Sequence, residues 1–316
     1  MLMLLLRRIV GLVVTLVAAA AVVFLVLEVL PGDPASVMLG TSAQPDTLAA
    51  LRAQMGLDRP MAERFATWIL ALARGDLGES YTYGVPVASL IAERLVVTVP
   101  LAVFAIVLAT LIALPLGIYA AAHHNRAGDA GVMAFTQLGV AIPNFWFGML
   151  LALLFAVTLG WLPSGGFPGW DDGLWKPIRA LLMPAIALAL PQSAILARVT
   201  RSAVLEALGE DWVRTARAKG LTRTQVLRRH VLRNAMIPVA TIMGLQFSFL
   251  LAGAIIIENV FFLPGLGRLV FQAIAQRDVI VVKDVVVFLA GLVVVINFVV
   301  DLLYAVLDPR LRGARR

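Results

Sequence analysis

Long apolar runs alternate with polar intervals along the whole chain, and each run is long enough to cross a bilayer as a helix. They lie at Ile9 to Leu27, Leu95 to Ala122, Ala130 to Leu159, Ala180 to Ala197, Asn234 to Ile257 and Val285 to Leu307, and only the last holds a charged residue, Asp301. The pattern predicts an all-α integral membrane protein of six spans. Between the first two spans the chain turns polar and mixed in charge. Phe65, Ile69 and Leu72 recur there at helical spacing, which predicts helices over Leu48 to Met55 and Met61 to Ala73. The expected organisation is a first span in 1–30, a small extracytoplasmic region over 31–94, a helical membrane domain over 95–307 and a basic tail at 308–316.

The longest polar interruption, 198–233, carries Arg198, Arg201, Arg214, Arg217, Lys219, Arg223, Arg228, Arg229 and Arg233 against Glu206, Glu210 and Asp211. Such an excess in a short loop belongs on the cytoplasmic side. Arg7 and Arg8 before the first span, and Arg310, Arg312, Arg315 and Arg316 after the last, put both termini on that side too. The first apolar run is too long for a signal peptide and no small-x-small cleavage site follows it, so it is read as an anchored span. Glu28 then falls at the outer interface, and Asp301 falls near the cytoplasmic surface, within reach of Arg7 or Arg8.

Composition narrows the function classes. With 61% hydrophobic residues, membrane residence is close to forced, and the net charge of +7 sits at the ends of apolar runs, where it orients spans and does not suit nucleic acid. The absence of cysteine removes disulfides, thiol catalysis and thiolate metal sites. His123, His124 and His230 have no metal-ligand spacing, and the adjacent pair fits a solvated turn. No phosphate-binding GxxxxGK[ST] loop is present. No catalytic, cofactor or metal site is therefore expected in the chain.

What remains is local architecture. Val213 to Lys219 has no helix breaker, Gly220 can end a helix, and Thr222 can cap another through Gln225, Val226 and Leu227. Ala216 and Gly220 are four apart and so share one helical face, which another backbone or a partner's groove can approach closely. That predicts a docking surface. Within the spans, Pro143 and Asn144 mark either a packed kink or a backbone opened toward a water-filled path. Gln192, Ser193, Gln246 and Ser248 are polar candidates for the same path, or for helix packing. Gly75-Asp76-Leu77-Gly78-Glu79-Ser80 reads as a short turn or strand, and Phe261-Phe262-Leu263-Pro264-Gly265-Leu266-Gly267 as a tight turn, either a gate or a re-entrant loop.

Arg214-Thr215-Ala216-Arg217-Ala218-Lys219-Gly220-Leu221 resembles the cytoplasmic loop of ABC importer permeases, in the wording of the first membrane subunit of the dipeptide/oligopeptide branch. The segments at Gly75 and Phe261 resemble signatures of that branch, and the likeness runs on to the Asp308-Pro309-Arg310 ending. The proline that the general pattern expects at the position of Arg233 comes later, at Pro238. The resemblance implies a six-helix type I ABC importer transmembrane domain in a bacterial cytoplasmic membrane, with Arg214 to Leu221 as the ATPase-coupling helix. It also implies a second permease subunit, two ATP-binding subunits holding ATP and Mg, and an extracytoplasmic substrate-binding protein. Peptides are the substrate it implies, with nickel or glutathione on the same machinery as the alternative. An ion-coupled secondary transporter is the competing class; it calls for mid-depth charges or an inverted repeat, and the sequence offers neither.

Overall fold

The computed structural model describes residues 2–29, 33–40, 44–171 and 173–307. The tail from Asp308 onward lies outside the described residues, as do the side chains of Arg7, Arg8 and Asp301, so the pairing expected of Asp301 falls outside them. The described chain is helical apart from turns and an isolated antiparallel bridge between Glu79 and Pro86. In order, the helices are α1 (Leu2–Val29), α2 (Pro34–Leu39), α3 (Pro45–Gln54), α4 (Met61–Ala73), α5 (Val87–Ala122), α6 (Ala127–Ala141) and α7 (Asn144–Leu151). They continue with α8 (Trp175–Gly209), α9 (Asp211–Ala218), α10 (Arg223–Val226), α11 (Leu232–Val260), α12 (Leu266–Ala275) and α13 (Val279–Leu307). Among the described residues five helical stretches are long and apolar enough to cross a membrane, or six when the bent pair, α6 with the chain from Asn144 to Thr158, is counted as one span.

Prolines treat these helices in two ways. Pro100 and Pro115 lie inside α5, Pro184 and Pro191 inside α8, and Pro238 inside α11, without ending the helix. Pro143 does more than kink its span. Ile142, the residue before it, is extended at ψ 122°, and the chain bends by 97° between the helices on either side. The proline ring excludes Ile142 from helical geometry, so α6 ends there and α7 starts afresh at Asn144. After α7 the backbone widens into a π-helical stretch, Ala152–Thr158.

The chain divides into two compact units. One comprises Thr98–Leu263 with the chain from Ile296, and α8 is its axis: 67% of the most apolar stretch of α8 is buried, against 33% for α5. Small residues let backbones close on that axis. A Cβ added to Gly117 of α5 would lie 2.6 Å from the Ala197 carbonyl oxygen and 2.6 Å from Thr200 Cβ, both on α8. Gly139 of α6 faces Ala194, Gly148 of α7 faces Ala187, and Gly253 of α11 faces Leu188. Tight packing of this kind holds membrane helices together where lipid offers no hydrophobic drive.

The other unit comprises Met1–Val97 with Pro264–Val295. Here α4 lies on α1 through Phe24, Phe65 and Trp68; Phe24 stacks on Trp68 at 5.8 Å and meets Phe65 edge-on at 5.2 Å. Outside that contact α1 shows a wide apolar surface, including Val10, Val14 and Val22. Hydrocarbon accounts for that surface better than water does. The turn at Gly75 to Ser80, where Gly75 and Gly78 take positive φ, is anchored from below. Ser80 Oγ donates to Asp278 Oδ2 at 2.6 Å, and Thr82 N donates to the same oxygen at 3.0 Å. The other oxygen of Asp278 accepts from Val281 N and caps the start of α13.

The α5–α8 contact gives a paired prediction. Gly117→Ala should lower stability by about 1–3 kcal/mol through overpacking. Gly131→Ala, on an exposed face of α6 with open space around it, should be neutral or stabilising by up to about 1 kcal/mol. Thermal unfolding of the two variants in detergent checks both signs.

Candidate functional site

The helix α8 does not stop where the apolar run stops. It continues past Arg198 to Gly209, so the first third of the basic interval is a rigid extension of a membrane helix, with Ala203, Val204 and Ala207 buried along one side. Glu210 is extended at ψ 148° and turns the chain into α9. There Val213 and Ala216 point inward, into a cluster with Val204, Ala207, Val226 and Val231. Arg214, Thr215, Arg217, Ala218, Lys219 and Gly220 point outward and are exposed. Asp211 stands in the first turn of α9 and Arg217 in its last, both favourable to the helix dipole.

The end of α9 is a Schellman motif. Leu221 N donates to Ala216 O at 3.3 Å and Gly220 N to Arg217 O at 2.9 Å, with Gly220 left-handed at φ +86°. Thr222 then opens α10 with a capping box: its Oγ1 accepts from Gln225 N at 3.3 Å, and its own N–H donates to Gln225 Oε1 at 2.9 Å. A π-helical stretch, Leu227–Val231, joins α10 to α11.

Two short helices about a glycine corner are as the sequence suggests, but the shared face of Ala216 and Gly220 is not. Ala216 is 8% exposed and belongs to the chain's own core. Gly220 lies beyond the end of α9, and a left-handed residue leaves the helical period. The outward ridge is therefore formed by Arg214, Arg217, Ala218, Lys219 and Gly220, while Ala216 seats the helix.

A polar clasp stands beside this segment. Arg201, on the α8 extension, donates through Nε to Asp129 Oδ1 at 2.6 Å and through Nη2 to Asp129 Oδ2 at 2.7 Å. Asn125 N donates to the same carboxylate at 3.0 Å, and His124 Nδ1 lies 3.2 Å from it and 3.0 Å from Arg201 Nη2. Asp129 is 4% exposed. The bidentate pair ties the α5–α6 corner to α8, a strong geometry for a charge pair. The histidine pair is thus a turn with one member drawn into an ion pair.

The pathway candidates separate. Gln246 Nε2 donates to the Gln192 backbone carbonyl at 3.0 Å, joining α11 to α8, and the side-chain oxygens Gln192 Oε1 and Gln246 Oε1 are buried without a partner. Asn144, half-buried, uses its Oδ1 to accept from Phe145 N at 2.8 Å; its Nδ2 lies 3.5 Å from where a Cβ on Gly253 would sit. Pro143 is exposed at the start of α7. Ser193 Oγ donates to Leu190 O within α8 at 2.8 Å, and Ser248 Oγ donates to Asn297 Oδ1 on α13 at 3.0 Å; both serines are buried. Gln192 and Gln246 are brought together, Asn144 comes near α11, and the serines serve packing. Sequence reading missed Glu258, wholly buried near the end of α11, whose Oε1 accepts from Thr98 Oγ1 at 2.6 Å. The apolar run ends at Ile257, and nothing in the local pattern marks the next residue as buried.

Over residues 113–313 the chain matches the family described as binding-protein-dependent transport system inner membrane component, and over 1–102 the N-terminal family of the same membrane components. The chain belongs to this family. A Brucella abortus protein provisionally named a peptide transport system permease is 42% identical over 98% of both chains. The glutathione transport system permease protein GsiC of Salmonella choleraesuis is 41% identical over 97% of this chain and 98% of its own. Among solved structures, an inward-facing MetNI methionine ABC transporter aligns with 70% of this permease and 97% of the matched chain at TM-score 0.58 and 20% identity. An amino acid ABC transporter crystallised with histidines aligns at TM-score 0.52 and 18% identity, covering 71% and 94%. The permease accordingly has the fold of an ABC transporter membrane subunit, and it is a multi-pass integral membrane protein.

Two predictions come from this geometry. Arg201→Gln leaves the Asp129 carboxylate buried and uncompensated and should cost about 3 kcal/mol, a loss that Asp129→Asn in the same chain partly restores. A double-mutant cycle of detergent melting curves measures it. At the glycine corner, Gly220→Asn should keep the Schellman end, whereas Gly220→Val should cost about 1–2 kcal/mol of backbone strain although open space surrounds the site. The same melts report that difference.

Proposed function

We propose that this permease is the first membrane subunit of an importer for short peptides in a bacterial inner membrane, and that α9 with its glycine corner is the element that seats in a separate ATP-hydrolysing subunit. The observation that carries the reading is a division of faces on α9. Val213 and Ala216 fix the helix to the bundle, leaving Arg214, Arg217, Lys219 and Gly220 as an exposed ridge, on which Arg214 pairs with Asp211 one turn earlier at 3.4 Å. The excess of basic residues over 198–233 puts that ridge on the cytoplasmic side together with both termini. ATP and Mg then belong to the partner, since this chain has no phosphate-binding loop.

In this reading a second permease subunit completes the pathway, two ATP-binding subunits close beneath it, and an extracytoplasmic binding protein delivers the solute. Closure moves α9, and α8 carries the motion as one helix, a population shift driven by tighter binding of ATP to one arrangement. Gln192 and Gln246, with Asn144, are the pathway residues the geometry favours, because unpartnered amide oxygens suit a solvated route or a peptide's N–H groups. Short peptides are the favoured cargo because the compared permeases are named for peptide and for glutathione transport.

Expressed with its genomic neighbours, the permease should co-purify with a Walker-motif ATPase, and Arg214→Glu with Arg217→Glu should abolish that association. Unchanged assembly and unchanged peptide uptake in the double variant would overturn the coupling assignment. Because the chain holds no cysteine, single introduced cysteines report sidedness: Arg74→Cys should react with an impermeant maleimide from outside and Thr224→Cys only from inside. The opposite pattern would reverse the topology.

A further inference from the structure

In the unit that contains α1, a cavity of about 900 Å³ opens between the last turn of α1, helix α4 and the first turns of α13. Its apolar lining includes Phe24, Leu27 and Trp68 from α1 and α4 and Val279, Ile280 and Val282 from α13. Charges of both signs stand among these residues, and several of them are matched. Arg52 pairs with Asp33 at 3.0 Å and with Asp58 at 3.3 Å, Arg59 with Glu63 at 3.5 Å, and Arg64 with Glu28 at the end of α1.

Among the described residues that line the cavity, one acid and one base each keep a buried atom without a hydrogen-bond partner. Asp284 is 1% exposed; its Oδ1 accepts from Trp68 Nε1 at 2.6 Å, and its Oδ2 is buried with no partner. Arg64 spends its Nη groups on Glu28 and on Leu57 O, while its Nε is buried with no partner. Arg64 and Trp68 are one turn apart on α4 and so stand side by side, which brings the orphan donor and the orphan acceptor to the same stretch of wall. Lys283 Nζ sits 5.0 Å over the Trp68 ring, and the Arg64 guanidinium 6.0 Å from the Phe24 ring. Leaving a buried charged group short of a hydrogen bond is costly, so a complementary ligand is the physical expectation.

We propose that this cavity is a binding site for a zwitterion, whose ammonium bonds Asp284 Oδ2 and whose anionic group bonds Arg64 Nε. The headgroup of phosphatidylethanolamine has this chemistry, and so do the free ends of a dipeptide. A lipid would enter beside Glu28, at the end of the membrane-crossing α1. The proposal does not rest on the coupling assignment made for α9.

The test places a single cysteine in the cavity wall, Thr67→Cys, in the full chain reconstituted into nanodiscs. Maleimide labelling is timed in phosphatidylethanolamine discs and in phosphatidylglycerol discs, the latter with and without added Ala-Ala or N-acetyl-Ala-Ala. Loss of one charge-assisted hydrogen bond corresponds to about a tenfold change in affinity, so protection should weaken about tenfold in Asp284→Asn. Slow labelling in phosphatidylethanolamine without peptide identifies the lipid headgroup. Slow labelling in phosphatidylglycerol with Ala-Ala identifies the peptide. Equal rates in every disc, equal protection by the blocked dipeptide or by phosphatidylglycerol alone, or protection unchanged by Asp284→Asn would each overturn the proposal. The disc and peptide comparisons use the Asp284 chain, so they decide the matter even if Asp284→Asn does not fold.

Discussion

One unbroken helix governs what the rest of the chain can do. From Gln192, where α8 meets α11, to Gly209, where it turns into α9, α8 runs roughly 26 Å at the usual rise per residue. A helix of that length transmits displacement only if it is held at both ends. Near its middle the holding is steric, with Gly117, Gly139 and Gly148 letting neighbouring backbones close on it. Beyond the apolar stretch, Val204 and Ala207 stay packed in an apolar cluster, and the Arg201–Asp129 pair adds a charged tie. Apolar packing thus holds α8 on both sides of Arg201, and the ion pair is added to it.

The segment that follows α8 was largely legible because its signals are local. A glycine after a basic last turn, then threonine with glutamine three residues on, are chemistry that neighbours in sequence complete by themselves, and the structure has the Schellman end and the capping box at those residues. The helix over Met61–Ala73 was legible for the same reason, its apolar face being read from period alone. Loss of hydrophobicity was a poorer guide. It marks where a helix leaves the apolar layer, whereas helix termination needs a breaker, and α8 meets none between Ala197 and Gly209.

Contacts between distant residues were not legible. Asp129 and Arg201 are 72 residues apart, Ser80 and Asp278 are 198 apart, and Trp68 and Asp284 are 216 apart. Nothing in the local pattern separates such carboxylates from exposed ones. Ala216 illustrates the same limit from the apolar side, since a small residue on an amphipathic helix suits close approach by a partner or by the helix's own bundle. Only the position of Val204, Val226 and Val231 decides for the bundle.

The buried carboxylates also explain why one of them stands out. Asp129 lies in the first turn of α6 and Asp278 just before α13, where unpaired backbone N–H groups and the helix dipole favour negative charge. Each has both oxygens engaged, Asp129 by Arg201 and Asn125, and Asp278 by Ser80, Thr82 and Val281. Asp284 has neither advantage. It lies more than one turn inside α13, where every backbone N–H is already used by the helix, so an indole N–H must serve one oxygen and the other is buried without a partner. A helix cap explains a carboxylate at a terminus and cannot explain one in the interior. For Asp284 the balancing charge has to come from Lys283 beside it or from whatever occupies the cavity, and Lys283 is drawn over the face of Trp68.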